Sequence, residues 1–323
     1  MRHAVEIRGN EMTDRILVTG GAGYLGSIMV PRLLASGHKV TVLDNFMYGQ
    51  NSLAGVCADP NFRAVNADAR VKETLAPLLA EADIVIPLAA LVGAPLCAKD
   101  PIGASTLNRD AQLMLLDMLG EDQRVVMPVT NSGYGIGEEG NYCTEETPLR
   151  PVSMYGRHKV EVEARALERQ NTISFRLATV FGMSPRMRID LLVNDFVHRA
   201  VFDKAVVLFE SHFKRNYIHI RDVSSAFVHG LDNFAAMRGE PYNVGLSDAN
   251  LSKWELCERI KKRLPDFVFM EADIGEDPDK RDYIVANDKM EGTGFKPAHS
   301  LDDGIGELIK GYAMIRDSKY GNI

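Results

Sequence analysis

The sequence predicts an α/β protein, built as a doubly wound parallel sheet with helices on both faces and followed by a smaller C-terminal lobe. Short β-branched runs alternate with amphipathic helical stretches through the first two-thirds of the chain, which is the pattern of β-α units in a parallel sheet. The 323 residues also exceed what one hydrophobic core usually serves, so a second, smaller unit is expected.

The individual elements follow from this alternation. Strands are predicted at 15–19, 39–43, 62–65, 83–88, 124–129 and 172–177. Helices are predicted near 23–36, 72–80, 103–119 and 153–170, which are lengths suited to right-handed crossovers. Pro31 falls inside the first helix and should kink it, because proline removes a backbone hydrogen bond.

The regular alternation weakens after about residue 180. We therefore expect residues 15–180 to form the sheet domain and residues 181–323 to form mainly the second lobe. Returns of the chain to the sheet are expected near 216–230 and 242–246, where short β-branched runs reappear. Residues 1–14 lack the apolar core of a signal peptide and are predicted to be a disordered extension.

Composition excludes several classes of function. The net charge of −7 opposes a nucleic-acid partner. The longest apolar stretch, 84–96, is short and broken by proline and glycine, so no membrane span is predicted. The four cysteines are scattered without a C-x-x-C pair, which predicts neither a disulfide scaffold nor a metal site and fits the reducing cytoplasm.

A glycine-rich turn, RILVTGGAGYLGS, places Gly20, Gly23 and Gly26 between the first strand and the first helix. In that context the backbone can approach a pyrophosphate that the helix N-terminus stabilises. Asp44 closes the second strand, where a carboxylate can accept hydrogen bonds from an adenosine ribose and would repel a 2′-phosphate. The run predicts a Rossmann-type site that prefers NAD to NADP, although the same glycines could serve only a tight turn.

Tyr155 and Lys159 are separated by four residues on a predicted helix and therefore share one face. The ammonium should favour the phenolate and lower the tyrosine pKa from about 10 toward neutrality, which would allow Tyr155 to take a hydroxyl proton. Such a pair standing alone is more often a solvated surface contact. Its catalytic interpretation depends on the other motifs.

Further motifs occur in a fixed order along the chain: TGGAGYLG, NADAR, PLAALVGAP, Asn108, TNSGYG, PVSMYGRHK, RLATVFG, RNYIHIRDV, YNVG and TGFKP. Together they resemble the extended short-chain dehydrogenase/reductases, the family of nucleotide-sugar epimerases and dehydratases. The resemblance covers nearly the whole chain. It implies bound NAD, a nucleotide-diphosphate sugar substrate held by the C-terminal lobe, and a homodimer.

The resemblance also implies roles for individual residues. The catalytic group is Thr130, Tyr155 and Lys159. The cofactor contacts are Gly20, Gly23, Tyr24, Leu25, Gly26, Asp44, Asn45, Asp68, Ala69, Leu88, Ala89, Ala90, Tyr155 and Lys159. The substrate contacts are Asn131, Ser132, Thr179, Arg186, Asn194, Arg215 and Arg281. The arginines suit a diphosphate because guanidinium groups bind phosphate in bidentate fashion, although surface ion pairing would also explain them.

The residues after Thr130 separate the sub-reactions. A 4,6-dehydratase of this family carries an Asp-Glu pair there, since eliminating water needs an acid and a base. Asn131 and Ser132 stand there instead and cannot transfer protons near neutral pH, so dehydration is disfavoured. Oxidation at C4 alone would give a dehydrogenase, and return of the hydride would give a 4-epimerase. Thr179 departs from the family's usual Asn, which leaves an amide contact to the sugar nucleotide in doubt.

Two further hypotheses follow from the same residues. A non-catalytic NAD sensor is the alternative from another functional class, but such proteins tend to lose the Tyr or the Lys. A homodimer through helices 103–119 and 153–170 is expected by resemblance. The apolar side chains compatible with it, which core packing would explain equally well, are Leu113, Met114, Leu116 and Leu119.

Overall fold

A computed structural model describes residues 13–49, 51–138, 140–272 and 281–315. The expected extension therefore lies almost wholly outside the described residues. The first part of the chain forms β1 Arg15–Thr19, α1 Gly26–Ala35, β2 Lys39–Asp44, β3 Phe62–Asn66, α2 Lys72–Glu81, β4 Ile84–Pro87, α3 Ala94–Lys99, α4 Pro101–Ser105, α5 Ala111–Asp117, β5 Arg124–Thr130, β6 Tyr142–Cys143, α6 Met154–Leu167, β7 Thr172–Leu177 and β8 Thr179–Phe181.

The second part has shorter strands and more irregular connections. Its elements are α7 Leu192–Phe202, β9 Ala205–Leu208, β10 Lys214–His219, α8 Ile220–Asp232, α9 Phe234–Met237, β11 Pro241–Val244, β12 Asn250–Ser252, α10 Lys253–Arg263, β13 Val268–Glu271, β14 Ile284–Val285, α11 Asp288–Gly292 and α12 Leu301–Tyr312.

The central sheet has seven strands in the order β3-β2-β1-β4-β5-β7-β11. Every pair in it is parallel. Strands β4 and β5 are buried along almost their whole length, because helices cover both faces and a parallel strand then needs apolar side chains on both sides. The predicted doubly wound Rossmann-type sheet is confirmed, and all six predicted strands belong to it.

One predicted return to the sheet is correct and one is wrong. Strand β11 pairs with β7 and forms the edge of the central sheet, as expected for the run near 242–246. Strand β10, in the run near 216–230, instead lies between β8 and β12 in a separate three-stranded sheet. A β-branched run predicts a strand but does not specify its partner, and here the parallel partner of β10 is β8, which directly follows the sheet strand β7.

Two predicted helices differ from the observed ones. Helix α1 begins at Gly26, not residue 23, because Gly23 is still part of a turn in which its N–H donates to Gly20 O at 3.1 Å. The helix is continuous through Pro31. The predicted helix 103–119 is divided by a π-helical turn, Thr106–Asp110, which contains the buried Asn108.

The hydrophobic core is divided among the layers. One cluster lies between the sheet and helices α1 and α8, and includes Val30, Phe175 and Phe227. A second lies on the other face of the sheet, between it and α2, α5 and α6. A separate C-terminal core, with Phe196 and Leu308 among its members, joins α7, α10 and α12.

Two sequence-based exclusions can be compared with the described ranges. Within them, no helix combines the length and apolar character needed to cross a membrane. The four cysteines are unpaired, and only Cys57 is exposed. In the same ranges, no cluster of three or more His, Cys, Asp or Glu side chains is arranged to hold a metal ion.

Candidate active site

A long cleft lies at the carboxyl ends of the parallel strands, where the strand order reverses between β1 and β4. Ligands of open α/β sheets bind at such a switch point. One wall, the sheet wall, consists of the loops after β1 to β5 with Tyr155 and Lys159 of α6. The other consists of residues within 177–191 and Arg281. The predicted site residues that line the cleft are Gly20, Gly23, Tyr24, Leu25, Gly26, Asp44, Asn45, Asp68, Ala69, Leu88, Ala89, Ala90, Thr130, Ser132, Tyr155, Lys159, Thr179, Arg186 and Arg281.

The glycine turn is closed too tightly for side chains. Gly20 has φ +70°, and a Cβ on it would lie 2.6 Å from the backbone N and Cα of Ala89. A Cβ on Gly26 would lie 2.3 Å from Gly21 O. Since neither set of backbone atoms can move without moving a strand or helix, both positions require glycine. The turn leaves backbone surface facing the cleft, which fits a dinucleotide pyrophosphate.

Asp44 ends β2 at the rim of this turn. Its carboxylate accepts hydrogen bonds from the backbone N–H groups of Ala22, at 3.0 Å, and Phe46, at 2.8 Å. These two contacts fix the carboxylate beside the glycine turn, and it keeps acceptor capacity for a ribose hydroxyl. A fixed negative charge here fits NAD and disfavours a 2′-phosphate.

Asp68 lines the same part of the cleft and pairs with Arg70. The guanidinium donates to both carboxylate oxygens, at 2.9 Å from Nε and 2.5 Å from Nη2. The hydrogen bonds from Arg70 hold the pKa of Asp68 below its usual value. The paired carboxylate remains partly exposed in the cleft, and the cofactor contact expected for Asp68 stays a prediction.

Thr130 ends β5 and begins a hydrogen-bonded row across the cleft. Its hydroxyl donates to Ser132 Oγ at 2.9 Å and accepts from Ser132 N at 3.1 Å. Ser132 Oγ also accepts from Arg281. Thr130 therefore stands on the sheet wall, Arg281 on the opposite wall, and Ser132 connects them.

Tyr155 and Lys159 lie in the first turns of α6, which Ser153 caps by accepting from Gly156 N at 3.1 Å. Both side chains line the cleft and both are buried, at 9% and 3% exposure. The Lys159 ammonium donates to Pro128 O at 3.1 Å. The pair is therefore a feature of the cleft interior and not a solvated surface contact.

The expected lowering of the tyrosine pKa is wrong for this structure. Burial, with a smaller contribution from Cys97, raises the pKa of Tyr155 to about 12, although Arg188 and Arg281 act in the opposite direction. Burial also lowers the pKa of Lys159 to about 8. Burial removes solvation from the charged forms of both groups, and this cost exceeds the attraction between ammonium and phenolate that the helix spacing predicts.

Three predicted substrate contacts do not line the cleft. Asn194 is fully buried; its Oδ1 accepts from Gly182 N at 3.0 Å and its Nδ2 donates to Arg188 O at 2.8 Å. Arg215 donates to Lys214 O at 3.0 Å and faces the ring of Tyr283. Asn131 is 1% exposed, with no hydrogen-bond partner for either amide atom among the described residues. Asn194 and Arg215 are thus occupied by internal contacts.

Sequence reasoning missed several residues that line the cleft. Arg188 reaches it from the C-terminal wall, pairs with Asp190 and donates to Val92 O at 3.3 Å. Tyr48 reaches it from the loop after β2. The alternating arginines of SPRMRID indicate a cationic segment, but the pattern does not specify which guanidinium faces the cleft. No local sequence feature distinguishes Tyr48 as a cleft residue.

Comparison with known proteins decides the family. The profile of the "NAD dependent epimerase/dehydratase family" matches residues 16–245, which is well over half of the chain. The chain belongs to that family. It is therefore an NAD-dependent enzyme of the extended short-chain dehydrogenase/reductase type that acts on nucleotide sugars.

Individual relatives within the family carry different activities. The low-salt glycan biosynthesis protein Agl12 of Haloferax volcanii is 28% identical over 92% of this chain and 98% of its own. UDP-glucuronic acid decarboxylase 1 of Danio rerio is 25% identical over 95% of this chain and 75% of its own. The structure of DesIV, a dTDP-glucose 4,6-dehydratase from Streptomyces venezuelae with NAD and TYD bound, has a TM-score of 0.81 at 27% identity, covering 94% of this chain and 98% of that one.

Proposed function

We propose that this enzyme oxidises C4 of a nucleotide-linked sugar to a 4-ketone, with formation of NADH. The observation that carries the proposal is the chemistry around Thr130. The described residues that line the whole cleft include two acidic ones, Asp44 and Asp68, and both lie at the other end, by the glycine turn and β3. The described side chains that line the end near Thr130 include Tyr155 and Lys159 but no carboxylate. Such a site supports proton removal from a hydroxyl, and it lacks the acid-base pair that dehydration needs.

The residues divide the work of the oxidation. Tyr155 accepts the proton of the C4 hydroxyl, and Thr130 hydrogen-bonds the same oxygen so that the C4 hydrogen is oriented. The glycine turn and Asp44 would hold NAD, which would supply the hydride acceptor that oxidation of C4 to a carbonyl requires. Lys159, anchored on Pro128 O, supplies an ammonium that lines the same cleft as the phenol and can hydrogen-bond the nicotinamide ribose. Arg281 and Ser132 hold the sugar nucleotide against the opposite wall.

We further propose a GDP-heptose as the sugar nucleotide. The segments LAALVGAPLC and TNSGYGIG resemble those of GDP-D-glycero-α-D-manno-heptose 4-dehydrogenase, an enzyme of capsular polysaccharide biosynthesis. A third similar segment, IGEDPDKRDY, falls mostly on residues 273–280, outside the described ranges. The support for the heptose is this resemblance alone, and the cytoplasm is the expected compartment.

Of the four apolar side chains expected at the surface of the proposed homodimer, only two remain available to a partner. Leu116 and Leu119 are buried in the core beneath the sheet, at 1% and 8% exposure, so they cannot meet a partner. Leu113 and Met114 are only partly buried against that core. We propose that the dimer surface is formed by these two side chains with the outer faces of α5 and α6.

A substrate panel tests the proposed reaction. The purified enzyme is incubated separately with the GDP-heptose, UDP-glucose and UDP-glucuronic acid, while NADH absorbance and sugar NMR are followed. A 4-ketose that accumulates with NADH from the GDP-heptose is the expected result. A C4 stereoisomer without net NADH would instead make the enzyme a 4-epimerase, and CO2 release from UDP-glucuronic acid would make it a decarboxylase like its relatives.

Tyr155→Phe tests the catalytic assignment, with Tyr142→Phe as the control on an exposed tyrosine outside the cleft. Removing the phenolic oxygen should reduce kcat by about 10³-fold, the scale of general acid-base catalysis. Because the pKa of Tyr155 is raised to about 12, the phenolate fraction grows with pH, so the parent kcat/KM should rise between pH 7 and 9. An unchanged rate and pH profile in Tyr155→Phe would refute the assignment.

A further inference from the structure

Residues 182–190 form an irregular segment that crosses the cleft, here called the strap. The strap leaves β8, contains no helix or strand, and leads into α7. Most of its residues are nevertheless buried, and Met187 is fully so. A buried segment without regular secondary structure must satisfy its polar groups through specific contacts.

These contacts join the strap to the loop after β1. Tyr24 Oη donates to Gly182 O at 2.6 Å, and Ser184 Oγ donates to Tyr24 O at 2.7 Å. Ser27 Oγ and Ser184 Oγ lie 2.8 Å apart. The start of the strap is therefore fixed to the glycine-rich turn and the first helix by three hydrogen bonds.

The strap also reaches the loops after β2 and β4. Arg188 donates to Val92 O at 3.3 Å beyond β4. Arg186 lies over the ring of Tyr48 beyond β2, with its Cζ 3.7 Å from the ring centroid. Tyr48 belongs to a tight turn in which Gly49 N donates to Phe46 O at 3.0 Å.

The contact with Tyr48 differs from the others in kind. The loops after β1 and β4 are held by hydrogen bonds to backbone, whereas Arg186 and Tyr48 meet through side chains. Arg186 is 2% exposed and Tyr48 is half-buried, so the stack is largely desolvated, and both side chains line the cleft. A desolvated cation-π contact is worth more than an exposed one. Among the contacts of the described residues, the one between the strap and the β2 loop is therefore a contact of two side chains, which can separate without breaking a hydrogen bond to the backbone of the loop.

We propose that the stack of Arg186 on Tyr48 is a cofactor latch, which closes the cleft between the strap and the β2 loop and must open before NAD is exchanged. This assigns Arg186 to retention of the cofactor and not to the substrate contact expected for it. The proposal rests on the family's cofactor and is independent of the sugar specificity.

Exchange of the bound nucleotide measures the latch directly. The purified enzyme with its NAD is mixed with isotopically labelled NAD, and the bound fraction is followed by mass spectrometry after rapid desalting. Tyr48→Ala should raise the exchange rate about tenfold, equivalent to about 1.4 kcal/mol. Tyr48→Phe keeps the ring and should stay within about twofold of the parent. Tyr142→Ala, a matched truncation of an exposed tyrosine, should leave the rate unchanged.

Coupling between the two side chains gives the second measurement. If they act as one latch, Tyr48→Ala combined with Arg186→Gln should exchange no faster than the faster single variant. Additive effects, a parental rate in Tyr48→Ala, or equal acceleration by Tyr48→Phe would each overturn the proposal. The thermal midpoint measured with saturating NAD identifies any variant that is unfolded. If Arg186→Gln is unfolded, the variants of Tyr48, which lies on a partly exposed loop, still test the proposal.

Discussion

The two walls of the cleft are made of different materials. The sheet wall consists largely of backbone and small side chains, such as Gly20, Ala22 and Ala89, at the ends of parallel strands. The C-terminal wall presents long cationic side chains, Arg186, Arg188 and Arg281, from irregular segments. One wall fits a ligand by letting backbone approach it, and the other by placing charge near it. The two should therefore respond differently to mutation.

Lys159 is the long charged side chain of the sheet wall, and its removal should have the largest effect on rate. Lys159→Met should reduce kcat by about 10³-fold, since the ammonium proposed to hold the nicotinamide ribose and to favour the phenolate is lost. The same variant should be more stable than the parent. Burial lowers the pKa of Lys159 from 10.5 to about 8, so the ammonium is the disfavoured form in the folded protein.

The sign of this stability effect depends on pH. Between about pH 8 and 10.5 the unfolded chain binds more protons than the folded chain, so the parent gains stability as pH rises through this window. Urea unfolding of nucleotide-free protein should show Lys159→Met more stable by roughly 1–3 kcal/mol at pH 7 and little different at pH 10. A parent more stable than the variant at pH 7 would show that the Pro128 hydrogen bond outweighs the desolvation.

The backbone character of the sheet wall is tested by Gly20→Ala, with Gly37→Ala as its matched control. Both glycines have positive φ, but a Cβ on Gly37 meets nothing within 4 Å. Gly37→Ala should therefore cost about 1 kcal/mol of unfolding free energy, whereas Gly20→Ala should cost about 2–4 kcal/mol and lose bound NAD. Equal losses in the two variants would mean that the contact with Ala89 is easily relieved.

The cationic character of the C-terminal wall is tested by Arg281→Gln. Loss of the guanidinium next to Ser132 should raise KM for the sugar nucleotide about 10- to 100-fold, the value of a charge-assisted contact. The amount of bound NAD should not change. If NAD were lost as well, Arg281 would hold the cofactor and not the sugar nucleotide alone.

The smallest effect is expected at the exposed rim of the sheet wall. Arg70→Gln frees the carboxylate of Asp68, but exposed ion pairs are worth less than about 1 kcal/mol. Affinity for NAD, measured by calorimetry, should change less than about threefold. A tenfold change would place Asp68 among the strong cofactor contacts.

The same division explains what the sequence could predict. Gly20, Gly26 and Asp44 were predictable because each position depends on neighbours within one β-α unit, so spacing alone specifies the geometry. The existence of helix α6 was also predictable, and so was the helix face that Tyr155 and Lys159 share. The pKa of Tyr155 was not, because burial is a tertiary property that the helix spacing does not contain.

The C-terminal wall was harder to predict because its contacts join distant segments. Asn194 carries a side chain suited to a ligand, but tertiary contacts with Gly182 and Arg188 occupy it. Tyr48 gained its role only by meeting Arg186, more than a hundred residues along the chain. Strand β10 likewise had a recognisable pattern but an unpredictable partner.

Strand β11 has a consequence for synthesis of the chain. It is the outer neighbour of β7, yet it is made only after the whole strap, α7 and α8. Until residue 244 has left the ribosome, β7 remains an open edge and Phe175 lacks its ring contact with Tyr242. An unpaired edge beside exposed aromatic surface favours aggregation. A nascent chain halted near residue 180 should thus need a chaperone, although every strand from β1 to β7 is already present.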